Sequence, residues 1–159
     1  MKIFIVDDEP FMCNMLVTFF KDKFPEDEAI AFETGERALR NIYQKPDAII
    51  LDFNLDRVDE KAHSGIDILK EMKKMLPDAP IIMLTAQDSP AVALEAVKFG
   101  AYDYVVKNEN AFHRLQLLFE NIHGYKHLSR QFSFQRMMNI VLAILLAAIL
   151  FGILAIRFS

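Results

Sequence analysis

The chain has 159 residues, 53% of them hydrophobic, a formal net charge of −4 and one cysteine, which suits a single domain with an appendage. All 22 acidic residues lie at or before Glu120, together with 14 of the 18 basic ones, so the first 120 residues carry −8 and the remainder +4; an acidic globular part argues against nucleic-acid binding. The lone Cys13 excludes an intrachain disulfide and suits a reducing compartment, and the run from Lys2 to Asp7 is too short for a secretory signal.

Lys2-Ile3-Phe4-Ile5-Val6 is a β-rich run that stops at Asp7-Asp8-Glu9-Pro10. Three acids followed by proline suit a helix N-terminus, where the dipole favours negative charge, and this reading is compatible with a second role for the acids. Residues 11–24 repeat apolar side chains at helical spacing (Phe11, Met12, Met15, Leu16, Phe19, Phe20) until Pro25. Cys13 lies in this helix with no His or second Cys nearby and reads as a residue of no special chemistry. Residues 29–32 form a second strand, and Thr34-Gly35-Glu36 opens a helix with Ala38, Leu39 and Ile42 on one face, ending before Pro46.

The third strand, 47–52, has apolar residues bounded by carboxylates, as in a strand buried on both faces of a parallel sheet. After Asn54 comes a polar loop, 56–64, holding His63, which has no ligand partner at metal spacing and reads as surface. Gly65 opens a helix to Met75, with Ile66, Leu69 and Met72 on one face. Residues 81–84 form the fourth strand, Ser89-Pro90 an N-cap and first helical position, and Gly100 a left-handed C-terminal cap. Residues 102–106 make a fifth strand closed by Lys107, and 111–122 a fifth helix. Strand and helix alternate five times, which predicts an α/β fold with a doubly wound five-stranded parallel sheet, flavodoxin-like, of strand order 2-1-3-4-5.

The first domain is expected over 1–122, followed by a basic and aromatic juxtamembrane linker at 123–136 that could lie on anionic lipid, a transmembrane helix at 137–156 and a short tail at 157–159. Only Asn139 and Gly152 interrupt the apolar run, and a helix of that length spans roughly 30 Å of hydrocarbon. Lys126, Arg130 and Arg136 precede it and Arg157 follows, so the positive-inside rule keeps the N-terminal domain in the cytoplasm. Gly124 is expected to weaken any helix running unbroken from domain to membrane. Ala143, Ala147, Ala148 and Gly152 permit close helix approach, and hence a homodimer, without demanding it.

In the expected topology, Asp7, Asp8, Asp52, Thr85 and Lys107 meet at one sheet edge. Close carboxylates raise one another's pKa unless a cation sits among them, and oxygen donors suit Mg²⁺. A metal and a lysine can neutralise a phosphoryl group that a carboxylate accepts. The set resembles the response-regulator receiver domain, the mainly bacterial phospho-acceptor module of two-component signalling. Local signatures agree: Ile5-Val6-Asp7-Asp8-Glu9-Pro10, Thr34-Gly35-Glu36-Arg37-Ala38-Leu39, Lys45-Pro46-Asp47 and Phe99-Gly100-Ala101-Tyr102-Asp103-Tyr104.

The resemblance covers about residues 2–122 and implies a role for each matching position. Asp52 would take a phosphoryl group from a histidine kinase, a phosphotransfer protein or a small phosphodonor. Asp8, Asp52 and the Asn54 carbonyl would ligate Mg²⁺, with Asp7 acting through water. Lys107 would pair with the phosphoryl group, Thr85 would bond it and move, and Tyr104 would couple to that movement. The module would be no enzyme beyond slow self-phosphorylation and autodephosphorylation, and its partners would be the kinase and an effector at the bacterial inner membrane. Two departures stand out. The loop between Asp52 and Gly65 is longer than the family norm, with Asp56 at a usual proline position. Asn108 replaces the proline after the lysine, so Lys107–Asn108 is expected either trans with a rearranged loop or cis at a cost of about 3 kcal/mol. The alternatives are a receiver-like scaffold that does not use phosphorylation, and a haloacid-dehalogenase-like phosphohydrolase. The latter would carry its second Asp two residues after the first, unlike adjacent Asp7-Asp8.

Overall fold

The computed structural model describes residues 1–55 and 64–157; in its last helix the side chains of 129, 130, 133, 134 and 146–157 are not described. The chain divides into two compact units, Met1–Gln116 and Leu117–Ser159. The first is a three-layer α/β unit whose elements alternate as β1 (Lys2–Val6), α1 (Pro10–Lys23), β2 (Glu28–Phe32), α2 (Gly35–Arg40), a 3₁₀ turn (Ile42–Gln44), β3 (Ala48–Asp52), α3 (Gly65–Met75), β4 (Ile81–Thr85), α4 (Pro90–Lys98) and β5 (Asp103–Val106). α5 (Ala111–Arg157) begins in the first unit and makes up the second.

All neighbouring strands are parallel and the sheet order is β2-β1-β3-β4-β5, as expected from the alternation. β3 and β4 are buried at every residue, which is why they read as unbroken apolar runs. Phe4, Val6, Ile49, Leu51, Ile81 and Met83 face one core cluster with Ile66, Leu69 and Met72 of α3. Ile3, Ile5, Ile50, Ile82 and Leu84 alternate with them and are equally buried, so both sheet faces are covered.

Local chemistry decided several boundaries differently from the pattern. α2 ends before Pro46 but already at Arg40, with Ile42 in the 3₁₀ turn, because Asn41 Nδ2 donates to the Arg37 carbonyl and Asn41 Oδ1 accepts from Gln44 Nε2. Lys45 then turns the chain with φ 51°. Thr34 and Ser64 cap α2 and α3 through side-chain oxygens, accepting from Arg37 N and Asp67 N. Ser89 occupies the N-cap of α4 without a side-chain capping bond, so Pro90 alone marks that start. Glu9 is the N-cap residue of α1, also without a side-chain capping bond.

α5 does not stop at Ile122 but continues through Gly124 to Arg157. A glycine costs a helix interior about 1 kcal/mol, too little to end a helix flanked by Leu, Gln, Glu, Lys and Arg. Among the described residues no helix is long and apolar enough to cross a membrane. Of the expected span 137–156, only 137–145 have described side chains, and all of these are exposed. The polar loop residues 56–63, including Asp56 and His63, lie outside the described residues.

Candidate functional site

Strand register brings the chemistry-bearing residues level. Val6 pairs with Leu51, so Asp7, the next residue, comes alongside Asp52 at the end of β3. Asp52 pairs with Leu84, and Thr85 pairs with Val106 just before Lys107. Backbone bonds lock this edge: Asp7 N donates to Phe32 O at 3.1 Å, Phe53 N to Leu84 O at 2.8 Å and Lys107 N to Thr85 O at 2.6 Å. Gly65 closes the loop back onto it, since a Cβ there would lie 2.2 Å from the Asp52 carbonyl oxygen.

Asp7 and Asp52 are each 1% exposed and Thr85 is fully buried. Lys107 Nζ donates to Asp7 Oδ2 at 2.7 Å and lies 3.2 Å from Asp52 Oδ1. Asp7 Oδ1 accepts from Glu9 N at 3.0 Å. Neither Asp52 oxygen makes a hydrogen bond of good geometry, and the Lys107 contact is ionic. Asp7, Asp8 and Asp52 each bring one oxygen within 4.8 Å of the others. Asn54 follows two residues beyond, half-buried, its N–H close enough to draw the Asp52 pKa down slightly.

The electrostatics follow from three carboxylates facing one ammonium. Burial pushes Asp52 up to about 6, the Asp7 charge adds to this, and Lys107 opposes it. Asp7 is raised as well, by burial first, with Asp8 adding and Lys107 and the Glu9 N–H opposing. Burial alone would lower Lys107, but Asp7 and Asp52 outweigh it and hold its ammonium charged above the usual lysine range. With all groups ionised the pocket carries −2, the charge a divalent cation cancels. Hard oxygen donors of this spacing, with unbonded buried lone pairs on Asp52, fit Mg²⁺.

The structure also bonds Thr85 to Tyr104 through a residue the sequence did not single out. Thr85 Oγ1 accepts from Gln87 N at 3.0 Å, and the Tyr104 hydroxyl donates to the Gln87 carbonyl. A hydroxyl followed two residues later by a backbone donor is a recognisable local turn, so the first half of this link was available from spacing. The other support had no such signal: the Cys13 thiol donates to the Asp7 carbonyl at 3.3 Å, and burial followed by Asp7 pushes its pKa to about 11, leaving it inert. Beyond β5 there is no cis peptide among the described residues, so Lys107–Asn108 is trans. Asn108 holds the loop that follows: its Oδ1 accepts from Asn110 N at 2.9 Å and its carbonyl from Ala111 N at 3.0 Å.

A family model described as the response regulator receiver domain matches residues 3–119. The chain is 33% identical to the chemotaxis protein CheY of Thermotoga maritima over 67% of this chain and 84% of that one. It is 31% identical to the transcriptional regulatory protein ZraR of Escherichia coli O157:H7 over 79% of this chain, but spans only 27% of that longer protein. The crystal structure of Vibrio cholerae chemotaxis protein CheY4 superposes with a TM-score of 0.65 at 26% identity, covering 75% of this chain and 96% of that one. Receiver domains bind Mg²⁺ at an acidic pocket, interact with histidine kinases or phosphotransfer proteins, and are in general phosphoacceptors rather than enzymes. By its fold, its acidic pocket and these matches, the chain belongs to the response-regulator receiver domains, the phosphoryl acceptors of two-component signalling.

Proposed function

We propose that the chain is a membrane-tethered phosphorylation switch whose acceptor is Asp52. The observation that carries this reading is the condition of that carboxylate: buried, without a well-formed hydrogen bond on either oxygen, and 3.2 Å from a lysine ammonium. A structural aspartate at a strand end would have its lone pairs satisfied; one kept open suits a nucleophile. In the transfer, an Asp52 oxygen forms a bond to phosphorus while the donor's P–N bond to a histidine, or P–O bond of a small phosphodonor, breaks.

Lys107 faces the incoming phosphoryl oxygens with a charge that never needs to reorganise. Asp8, Asp52 and the Asn54 carbonyl would hold Mg²⁺, with Asp7 acting through water, and the bound ion supplies further neutralisation of phosphoryl charge. Thr85 moves to donate its hydroxyl to a phosphoryl oxygen, drawing with it the Gln87 N–H that its Oγ1 accepts. The loop carrying Gln87 then shifts, and Tyr104, bonded to the same residue, follows. The modification is thereby passed to the face formed by α4, β5 and the start of α5.

The tether reading rests on the run 137–156, on the basic residues before it, and on the uniform exposure of residues 137–145. It places the receiver on the cytoplasmic side of a bacterial inner membrane, where a histidine kinase supplies the phosphoryl group and an effector at the bilayer reads it. Incubation with Mg²⁺ and beryllofluoride tests the acceptor: amide NMR shifts at Thr85, Gln87 and Tyr104 are expected in the native chain and not in Asp52→Asn. Equal responses from both would support the non-phosphorylated scaffold instead.

A further inference from the structure

The part of α5 beyond the sheet carries a feature that phosphoryl chemistry does not use. Tyr125, Leu128, Phe132, Gln135, Asn139 and Leu142 recur at alternating steps of three and four residues, so they lie along one stripe of the helix. Every one of them is exposed. Tyr125 is 70% exposed, Phe132 68% and Leu128 51%, so three large apolar side chains of the stripe stand bare. None of the six stripe residues carries a charge; Lys126, His127 and Arg136 fall beside the stripe rather than on it.

Lipid alone cannot cover this stripe. α5 is continuous, and if its apolar run enters a bilayer near Met137, Tyr125 stands about 18 Å further along the axis at 1.5 Å per residue, outside the hydrocarbon. Asn139, the first polar residue within the run, would stand inside it. A single surface that is wet at one end and in hydrocarbon at the other is matched throughout by the same surface of an identical helix inserted in the same direction. We propose that α5 pairs with α5 of a second copy of this chain as a parallel two-stranded coil, with the stripe as its seam. In register, Asn139 meets its counterpart, and the two amides satisfy each other in hydrocarbon. The charged residues are kept off the seam, so the copies do not meet like charges across it. The proposal rests on the tether reading for the direction of insertion and is independent of phosphorylation.

The test is a cysteine scan of the full chain in liposomes, in a Cys13→Ser background that removes the native thiol. Mild oxidation should cross-link Tyr125→Cys, Leu128→Cys and Phe132→Cys about fivefold faster than Lys126→Cys or His127→Cys, as knobs-into-holes packing brings only seam positions face to face. Asn139→Val should slow cross-linking at Leu128→Cys. A flat profile, or one that peaks at Lys126→Cys, His127→Cys or Ala143→Cys on the face of small residues, overturns the seam. Flotation of the same liposomes separates the two failures: a flat profile in a chain that floats overturns the pairing alone, and a chain that stays at the bottom overturns the tether and the pairing together.

Discussion

Replacing Asp52 by asparagine should stabilise the metal-free protein, although it removes the residue on which the proposed function depends. Burial moves the carboxyl from its ordinary 3.8 to about 6. A raised acid pKa means that the native state resists ionisation, so the contribution of Asp52 to stability falls as pH rises from about 4 to 6 and is fully unfavourable above that. About two pKa units correspond to about 3 kcal/mol at neutral pH, an upper figure because the pocket relaxes. Asparagine has nearly the same shape and leaves the Lys107–Asp7 pair, at 2.7 Å, in place. In EDTA at pH 7.5, Asp52→Asn should therefore be more stable by about 1–3 kcal/mol, a Tm higher by about 5–10 °C. Near pH 4 the gap should shrink to about 0.5 kcal/mol, because native Asp52 is then neutral. Mg²⁺ should raise the Tm of the native chain and close the gap, since it binds the folded pocket and relieves its charge. Thermal and urea unfolding of the full chain in detergent, followed by circular dichroism, reads all of this. A variant less stable than the native chain in EDTA, or a gap that does not change with pH, would refute the electrostatic reasoning.

Three further outcomes follow from named contacts. Gly65→Ala should cost about 1–3 kcal/mol by overpacking against the Asp52 and Phe53 carbonyls, and should blunt the Mg²⁺-dependent rise in Tm because it shifts the Asp52 backbone. Tyr104→Phe removes the donor to the Gln87 carbonyl and should cost about 1 kcal/mol; in amide NMR it should uncouple position 104 from the beryllofluoride response while Asp52, Thr85 and Gln87 still respond. The full chain should float with anionic liposomes and a chain ending at Arg136 should not; flotation of the truncated form would move membrane binding from the apolar run to the linker.

The fold was legible where one physical requirement acted alone. A strand buried on both faces is apolar along its length, so β3 and β4 announced themselves as apolar runs that stop at a single acid and a single hydroxyl. Pro90 and Gly65 marked helix starts for equally local reasons. Legibility failed where two weak preferences competed. α2 kept its helical spacing past Arg40, but the Asn41 side chain offered the backbone a better local partner. Ser89 had the identity of a cap and did not act as one. Gly124 had the propensity of a break, yet its cost was small beside the residues on either side. The grouping of Asp7, Asp8, Asp52, Thr85 and Lys107 followed from topology. The Tyr104 half of the Gln87 link, and the Cys13 bond to Asp7, depend on side-chain directions that spacing does not encode.

The most direct measurement is to incubate the full chain with Mg²⁺ and acetyl phosphate and to locate the phosphoryl group by hydroxylamine cleavage and peptide mass spectrometry. A hydroxylamine-labile acyl phosphate on Asp52, absent in Asp52→Asn and absent in EDTA, is the predicted result. No labelling, or labelling that persists in Asp52→Asn, would contradict it.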